Sequence, residues 1–170
     1  MAGTVGFIGL GIMGGAMARN LVQSGWEVVG FDLSPERAAE AKANGVTLAA
    51  DVADLARRVP IIVTSLPSPK AVIATAEAIA AAGVEPRIVA EASTLALDDK
   101  LAFERILSEA GHTALDCPLS GTGAQAEKRD LVIYASGDSA AIAKLGPLFA
   151  DFGREAHDLG AYGNLSLIHI

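Results

Sequence analysis

Cysteine is nearly missing from this 170-residue sequence, where Cys117 stands alone. One thiol excludes an intrachain disulfide framework and a cysteine-based zinc site, and fits a reducing, cytoplasmic setting. Aromatic residues are also scarce, at 5% against 51% hydrophobic overall, so the core must come from Ala, Val, Ile and Leu. That is the usual core of a helix-covered parallel sheet. Positive charge is in deficit: the formal net charge is -7, and the nearest thing to a basic run is Arg57-Arg58 at the end of an expected helix. A phosphate backbone is held mainly by clustered Lys and Arg, so nucleic acid is not an expected partner. No stretch approaches the roughly 18 uncharged apolar residues of a membrane helix, and the start lacks the basic residues and cleavage site of a signal peptide.

What is present alternates. Apolar runs of strand length at Val5 to Ile8, Val28 to Phe31, Ile61 to Thr64 and Ile88 to Ala90 are separated by helical patterns at Met13 to Ser24, Pro35 to Asn44, Pro69 to Ala82 and Leu97 to Ala110. A strand at Leu131 to Ser136, a helix from about Ser139 to Phe152 and a short strand at Glu155 to Leu159 follow. The strands are continuously apolar, as expected when helices cover both sheet faces. The fold class is therefore α/β: a doubly wound, mostly parallel sheet of Rossmann type in one domain spanning residues 1–164.

After the first strand comes Gly9-Leu10-Gly11-Ile12-Met13-Gly14, and a helix begins at once. A lone G-x-G-x-x-G occurs in many turns, but here it joins a strand to a helix and a second strand ends in Asp32, 18 residues beyond Gly14. Gly9 permits the tight turn, Gly11 keeps a Cβ away from the pyrophosphate, and Gly14 lets the helix approach the strand. The helix N-terminus then stabilises the phosphates. Asp32 should accept from the adenosine ribose hydroxyls and repel a 2′-phosphate, which favours NAD over NADP. Arg37, one turn into the next helix, reads as a solvent-facing charge, although it could swing towards a phosphate.

In open α/β sheets ligands bind beyond the carboxyl ends of the strands. The segments expected there are Ser65 to Pro69, Glu91 to Thr94 and Asp116 to Gly123. Ser120, with the amides of Gly121 and Thr122, offers donors to an anion in a flexible turn. Cys117 reads as a small buried filler, His112 and His157 as structural or surface residues, and Asp51 with Asp54 as a solvated helix face.

These motifs together resemble the β-hydroxyacid dehydrogenase family, which includes 3-hydroxyisobutyrate dehydrogenase and tartronate semialdehyde reductase. "GFIGLGIMGGAMARNL" (Gly6 to Leu21) is similar to the family's cofactor signature, and "SLPSP" to its post-strand loop. "EASTL" resembles its D-x-S-T segment with Glu91 for Asp, and "DCPLSGTGAQA" its D-A-P-V-S-G-G loop with Thr122 where glycine is usual. The resemblance implies that Gly9 to Gly14 (including Leu10, Ile12 and Met13) and Asp32 hold the cofactor. It further implies that Leu66 and Pro67 line the adenosine and ribose side, that Thr94 lies near the nicotinamide, and that Ser120, Gly121 and Thr122 hold a small carboxylate substrate. A homo-oligomeric parent protein and a helical second domain are implied too. The family's catalytic lysine belongs to a G-x-x-G-x-G-x-x-x-K pattern, which Gly160-Ala161-Tyr162-Gly163-Asn164 begins and Leu165 breaks; the lysine would fall at His169.

Residues 165–170, "LSLIHI", match one reading frame of a transposon end used in sequencing-library preparation. That tail is therefore expected to be non-native, with the natural protein continuing past Asn164 into the lysine helix. Hydride transfer between a nicotinamide cofactor and a small 3-hydroxy acid or semialdehyde is the expected reaction of the parent, and this chain its inactive cofactor-binding fragment. The alternatives are a stand-alone redox-sensing dinucleotide module and a related imine reductase.

Overall fold

The computed structural model describes residues 2–165. His169 and the rest of the expected tail beyond Leu165 lie outside the described residues.

Six parallel strands form the main sheet: β1 (Thr4–Ile8), β2 (Glu27–Phe31), β3 (Thr47–Leu48), β4 (Ile61–Thr64), β5 (Ile88–Glu91) and β6 (Thr113–Asp116). Their order is β3-β2-β1-β4-β5-β6. The helices α1 (Ile12–Gln23), α2 (Pro35–Ala43), α3 (Val52–Arg58), α4 (Pro69–Ala80) and α5 (Leu97–Glu109) follow the first five strands in turn. The chain doubles back between β1 and β4, and this reversal of strand order opens the crevice where such sheets take ligands.

The strands are apolar throughout because neighbouring residues enter different cores. Val5, Phe7, Val28, Val63, Ala90 and Leu115 join one cluster with Met17 and Leu21 of α1, while Ile8, Val29, Ile62, Val89 and Ala114 join the other with Leu55, Ile79, Phe103 and Leu107. Truncating Phe103, fully buried on α5, would cost about 3 to 5 kcal/mol through lost burial and the cavity left behind. Local caps set the helix starts: Ser34 accepts from the Arg37 amide, Ser68 from the Ala71 amide, and Asp51 from the Asp54 amide. Asp51 and Asp54 therefore do more than face water, since Asp54 in return accepts from the Ala50 amide at 2.9 Å.

A second sheet, not foreseen from the sequence, consists of β7 (Leu119–Ser120), β8 (Val132–Ala135) and β9 (Glu155–Asp158) in the order β7-β8-β9. β7 runs antiparallel to β8, and β8 parallel to β9. The β7 segment reads as a turn in the sequence because two residues carry no period, and only pairing with β8 makes it a strand. The helix expected from Ser139 to Phe152 is two, α7 (Ser139–Lys144) and α8 (Gly146–Phe152), because Pro147 lacks the N–H that a continuous helix would need there. The short helix α6 (Gly123–Glu127) joins β7 to β8. Among the described residues no helix is long and apolar enough to cross a membrane.

Candidate functional site

The glycine turn is built by exclusion. Gly9 has φ +92°, which favours glycine, and a Cβ there would overlap the Ser65 carbonyl oxygen. A Cβ on Gly14 would overlap the Gly9 carbonyl oxygen, so α1 can approach β1 this closely only without one. A Cβ on Gly11 would stand 2.9 Å from Arg37 Nη1, so that guanidinium lies over the turn. Helix α1 starts with no side-chain cap and no acidic residue in its first turn. Its first amides and the positive end of its dipole are left to an anion.

Asp32 sits at the end of β2 with both carboxylate oxygens engaged by backbone: Oδ2 accepts from the Leu10 amide at 2.7 Å, and Oδ1 from the Ser34 amide at 2.8 Å. A carboxylate offers about four acceptor positions, so two remain for hydroxyl donors. A cleft of about 310 Å³ opens beside it, lined by Gly9, Gly11, Asp32, Arg37, Leu66 and Pro67 among others. It has an apolar wall from Leu66 and Pro67, an acidic acceptor at Asp32 and the free helix end. This is the donor and acceptor set that an adenosine diphosphate moiety needs, and the glycine cradle fits the group.

Ile12 is exposed in the turn and Leu10 buried, while Met13 packs partly against the core. Thr94 is exposed beyond β5 and is not part of the cleft lining. Ser93 accepts from the Leu66 amide with its Oγ at 2.8 Å, and α5 begins at Leu97 with Ala96 at its N-cap and no side-chain cap. The loops after β4 and β5 are thereby tied together.

The Ser120 to Gly123 loop lies against the glycine turn, where a Cβ on Gly123 would meet Ile12 Cγ2 at 2.6 Å. Asn20 of α1 anchors the following helix α6 by donating to the Ala126 carbonyl at 2.7 Å. Ser120 and Gly121 are exposed. The Thr122 amide, however, already donates to Gln125 Oε1 at 2.8 Å, and the Thr122 hydroxyl accepts in return from the Gln125 amide. This reciprocal cap starts α6, so the segment is an ordered helix start, and the amide that the sequence offered to an anion is taken.

Cys117 is buried with its thiol pushed well above the usual range by burial, and cannot serve as a nucleophile. His112 is buried as well, its Nδ1 accepting from the Arg87 amide at 2.9 Å; burial, and then the Arg87 charge, lowers its pKa. His157 is exposed and stacks on Tyr134. The sequence reading passed over Lys100, which is fully buried on α5 between Glu91 and Asp116. Its spacing was a usable signal, since Lys100, Phe103 and Leu107 form one buried stripe where a lysine is out of place.

With this geometry in view, residues 4–162 match the model of the NAD binding domain of 6-phosphogluconate dehydrogenase. The chain belongs to that family. Its fold and NAD(P)-binding assignment are thus those expected from the sequence. The mitochondrial 3-hydroxyisobutyrate dehydrogenase of Drosophila melanogaster is 30% identical over 163 residues, covering 95% of this chain and 50% of that protein. The solved Mycobacterium tuberculosis 3-hydroxyisobutyrate dehydrogenase with L-serine superposes with a TM-score of 0.94 at 27% identity, covering 98% of this chain and 57% of the other. Psf3 in complex with NADP+ and 2-OPP gives a TM-score of 0.90 at 26% identity, with 97% and 60% covered. The chain spans about half the length of the curated relatives it matches.

Proposed function

We propose that this chain is the cofactor-binding half of a 3-hydroxyacid dehydrogenase or semialdehyde reductase, and that it prefers NAD to NADP. The carrying observation is Asp32, held by the Leu10 and Ser34 amides at the edge of a cleft that the glycine turn opens. A ribose with both hydroxyls free can donate to that carboxylate, whereas a 2′-phosphate would bring a second anion against it. Arg37 over the turn softens this discrimination by adding a nearby cation.

The nicotinamide, when bound, supplies or accepts the hydride. This chain's residues bind and orient it: the α1 amides take the pyrophosphate, Leu66 and Pro67 flank the adenosine, and the loop at Thr94 faces the nicotinamide half. Ser120 and the Gly121 amide are proposed to hold a small carboxylate beside the glycine turn. The alcohol proton needs a separate acid-base group. Lys100 cannot supply it, because it is fully buried and its ammonium is spent on Glu91 and Asp116. The chain is therefore expected to bind cofactor with little or no turnover, and its parent to act in the cytoplasm as a homo-oligomer.

The test is a panel of small 3-hydroxy acids and semialdehydes, each offered with NAD or NADH to this chain and to the enzyme extended by a lysine-bearing second domain. Turnover by the extended enzyme alone supports the reading. Robust turnover by this chain would sink the division between cofactor half and acid-base half.

A further inference from the structure

Three ionisable side chains meet in the interior at the carboxyl ends of β5 and β6. Lys100 Nζ lies 2.7 Å from Glu91 Oε2, 2.7 Å from Asp116 Oδ1 and 3.3 Å from the Glu91 carbonyl oxygen, and none of the three side chains is more than 2% exposed. The Asp116 contact is short but makes no directed hydrogen bond, and neither Asp116 carboxylate oxygen has a hydrogen-bond partner among the described residues. Burial pushes the Asp116 carboxyl up from its ordinary value, against the pull of Lys100.

The Glu91 carboxylate is saturated. Oε1 accepts from Thr64 Oγ1 at 3.1 Å and from the Ser93 amide at 3.0 Å, while Oε2 accepts from the same amide at 3.1 Å and from Lys100. Ser93 passes this order outward, its Oγ accepting from the Leu66 amide at 2.8 Å. A continuous path of short contacts thus runs from Lys100 through Glu91 and Ser93 to both loops at the cleft edge. The Lys100 carbonyl also accepts from Tyr162 Oη at 2.8 Å, so the same residue braces the segment that follows β9.

A buried ion pair is weak evidence of stabilisation, because well-packed apolar residues often do as well or better. Its place is more informative: this one sits under the edge where ligands bind, and the groups it orders are loop amides. We propose that Lys100 is a positioning residue for the nicotinamide half of the dinucleotide, acting through Glu91 and Ser93 to fix the main chain at Thr94 and clamp it to Leu66. The proposal rests on the dinucleotide reading above. It assigns Lys100 no contact with the cofactor.

The experiment compares calorimetric affinities for NADH and for AMP, which carries only the adenosine half. Lys100→Met alone strands the Glu91 anion, so the companion variant Glu91→Gln/Lys100→Met removes both charges of that pair together. In the folded double variant NADH binding weakens by about 10-fold, as expected for loss of well-placed loop contacts, while AMP, which meets only the Leu66 side of the clamp, weakens by clearly less, so the NADH to AMP ratio falls. A merely structural role would lower the melting temperature and leave the NADH to AMP ratio unchanged; that result overturns the proposal. If the unaltered chain binds no NADH, the dinucleotide reading itself fails and this inference falls with it.

Discussion

The two halves of the sheet's carboxyl edge are built on different principles. Around β1 and β2 the site is made of main chain: three glycines whose absent Cβ atoms leave room, a free helix end, and one carboxylate fixed by two amides. Around β4, β5 and β6 the loops are held from beneath by buried charge, with Lys100, Glu91 and Asp116 supporting Ser93 and through it Leu66. A site made of backbone tolerates few residue types, so it writes itself into the sequence. A site held by side-chain charges can be made in many ways and leaves a fainter mark.

The largest expected effect breaks the charge-built half. Lys100→Met removes the cation and leaves Glu91 buried without its partner, which typically costs about 3 to 5 kcal/mol. Urea denaturation of the variant checks this; a loss below about 1 kcal/mol would mean that the pair is not ionised as described. Next comes the backbone-built half. Gly9→Ala combines a left-handed φ with overlap on the Ser65 carbonyl, so it should weaken NADH binding by about 100-fold through a displaced turn and cost about 1 to 3 kcal/mol of strain. Calorimetry with NADH reads the first number and thermal denaturation the second.

A smaller effect sharpens the contrast. Asp116 has a raised pKa in the folded state, so between the ordinary carboxylate range and that raised value the folded chain binds more protons than the unfolded one. Its contribution to stability is complete below the ordinary Asp pKa and is lost as pH rises through the folded value. Asp116→Asn, which mimics the protonated form, should flatten that loss and be neutral to stabilising by about 1 kcal/mol at pH 7. Stability curves from pH 4 to pH 8 test it. A destabilised Asn variant would show that Lys100 needs Asp116 as a second anion.

What the sequence disclosed follows the same division. The turn from Gly9 to Gly14, the acid at Asp32 and the alternation of strands and helices were legible because each reflects a local rule about φ, period or helix ends. The second sheet was not, since two-residue β7 exists only through its pairing with β8, and Pro147 divided what periodicity had joined. Thr122 read as a donor to an anion although Thr122-x-x-Gln125 is a capping-box pattern, because α6 is only five residues long and too short to show a helical period. The spacing of Lys100 with Phe103 and Leu107 marks it as a buried helix position, but nothing local to it names its partners. Its two partners lie 9 residues before it and 16 after it, on neighbouring parallel strands, and only the β5·β6 register brings Glu91 beside Asp116.

The central claim is that Asp32 and the glycine turn form an NAD site that discriminates against a 2′-phosphate. The most direct measurement is a fluorescence titration of this chain with NADH and NADPH, repeated on Asp32→Ala. The account predicts that the unaltered chain binds NADH more tightly by about 10-fold, a difference of about 1.4 kcal/mol, and that the variant loses the preference with Arg37 still in place. Equal affinities in the unaltered chain, or a preference for NADPH, would contradict it.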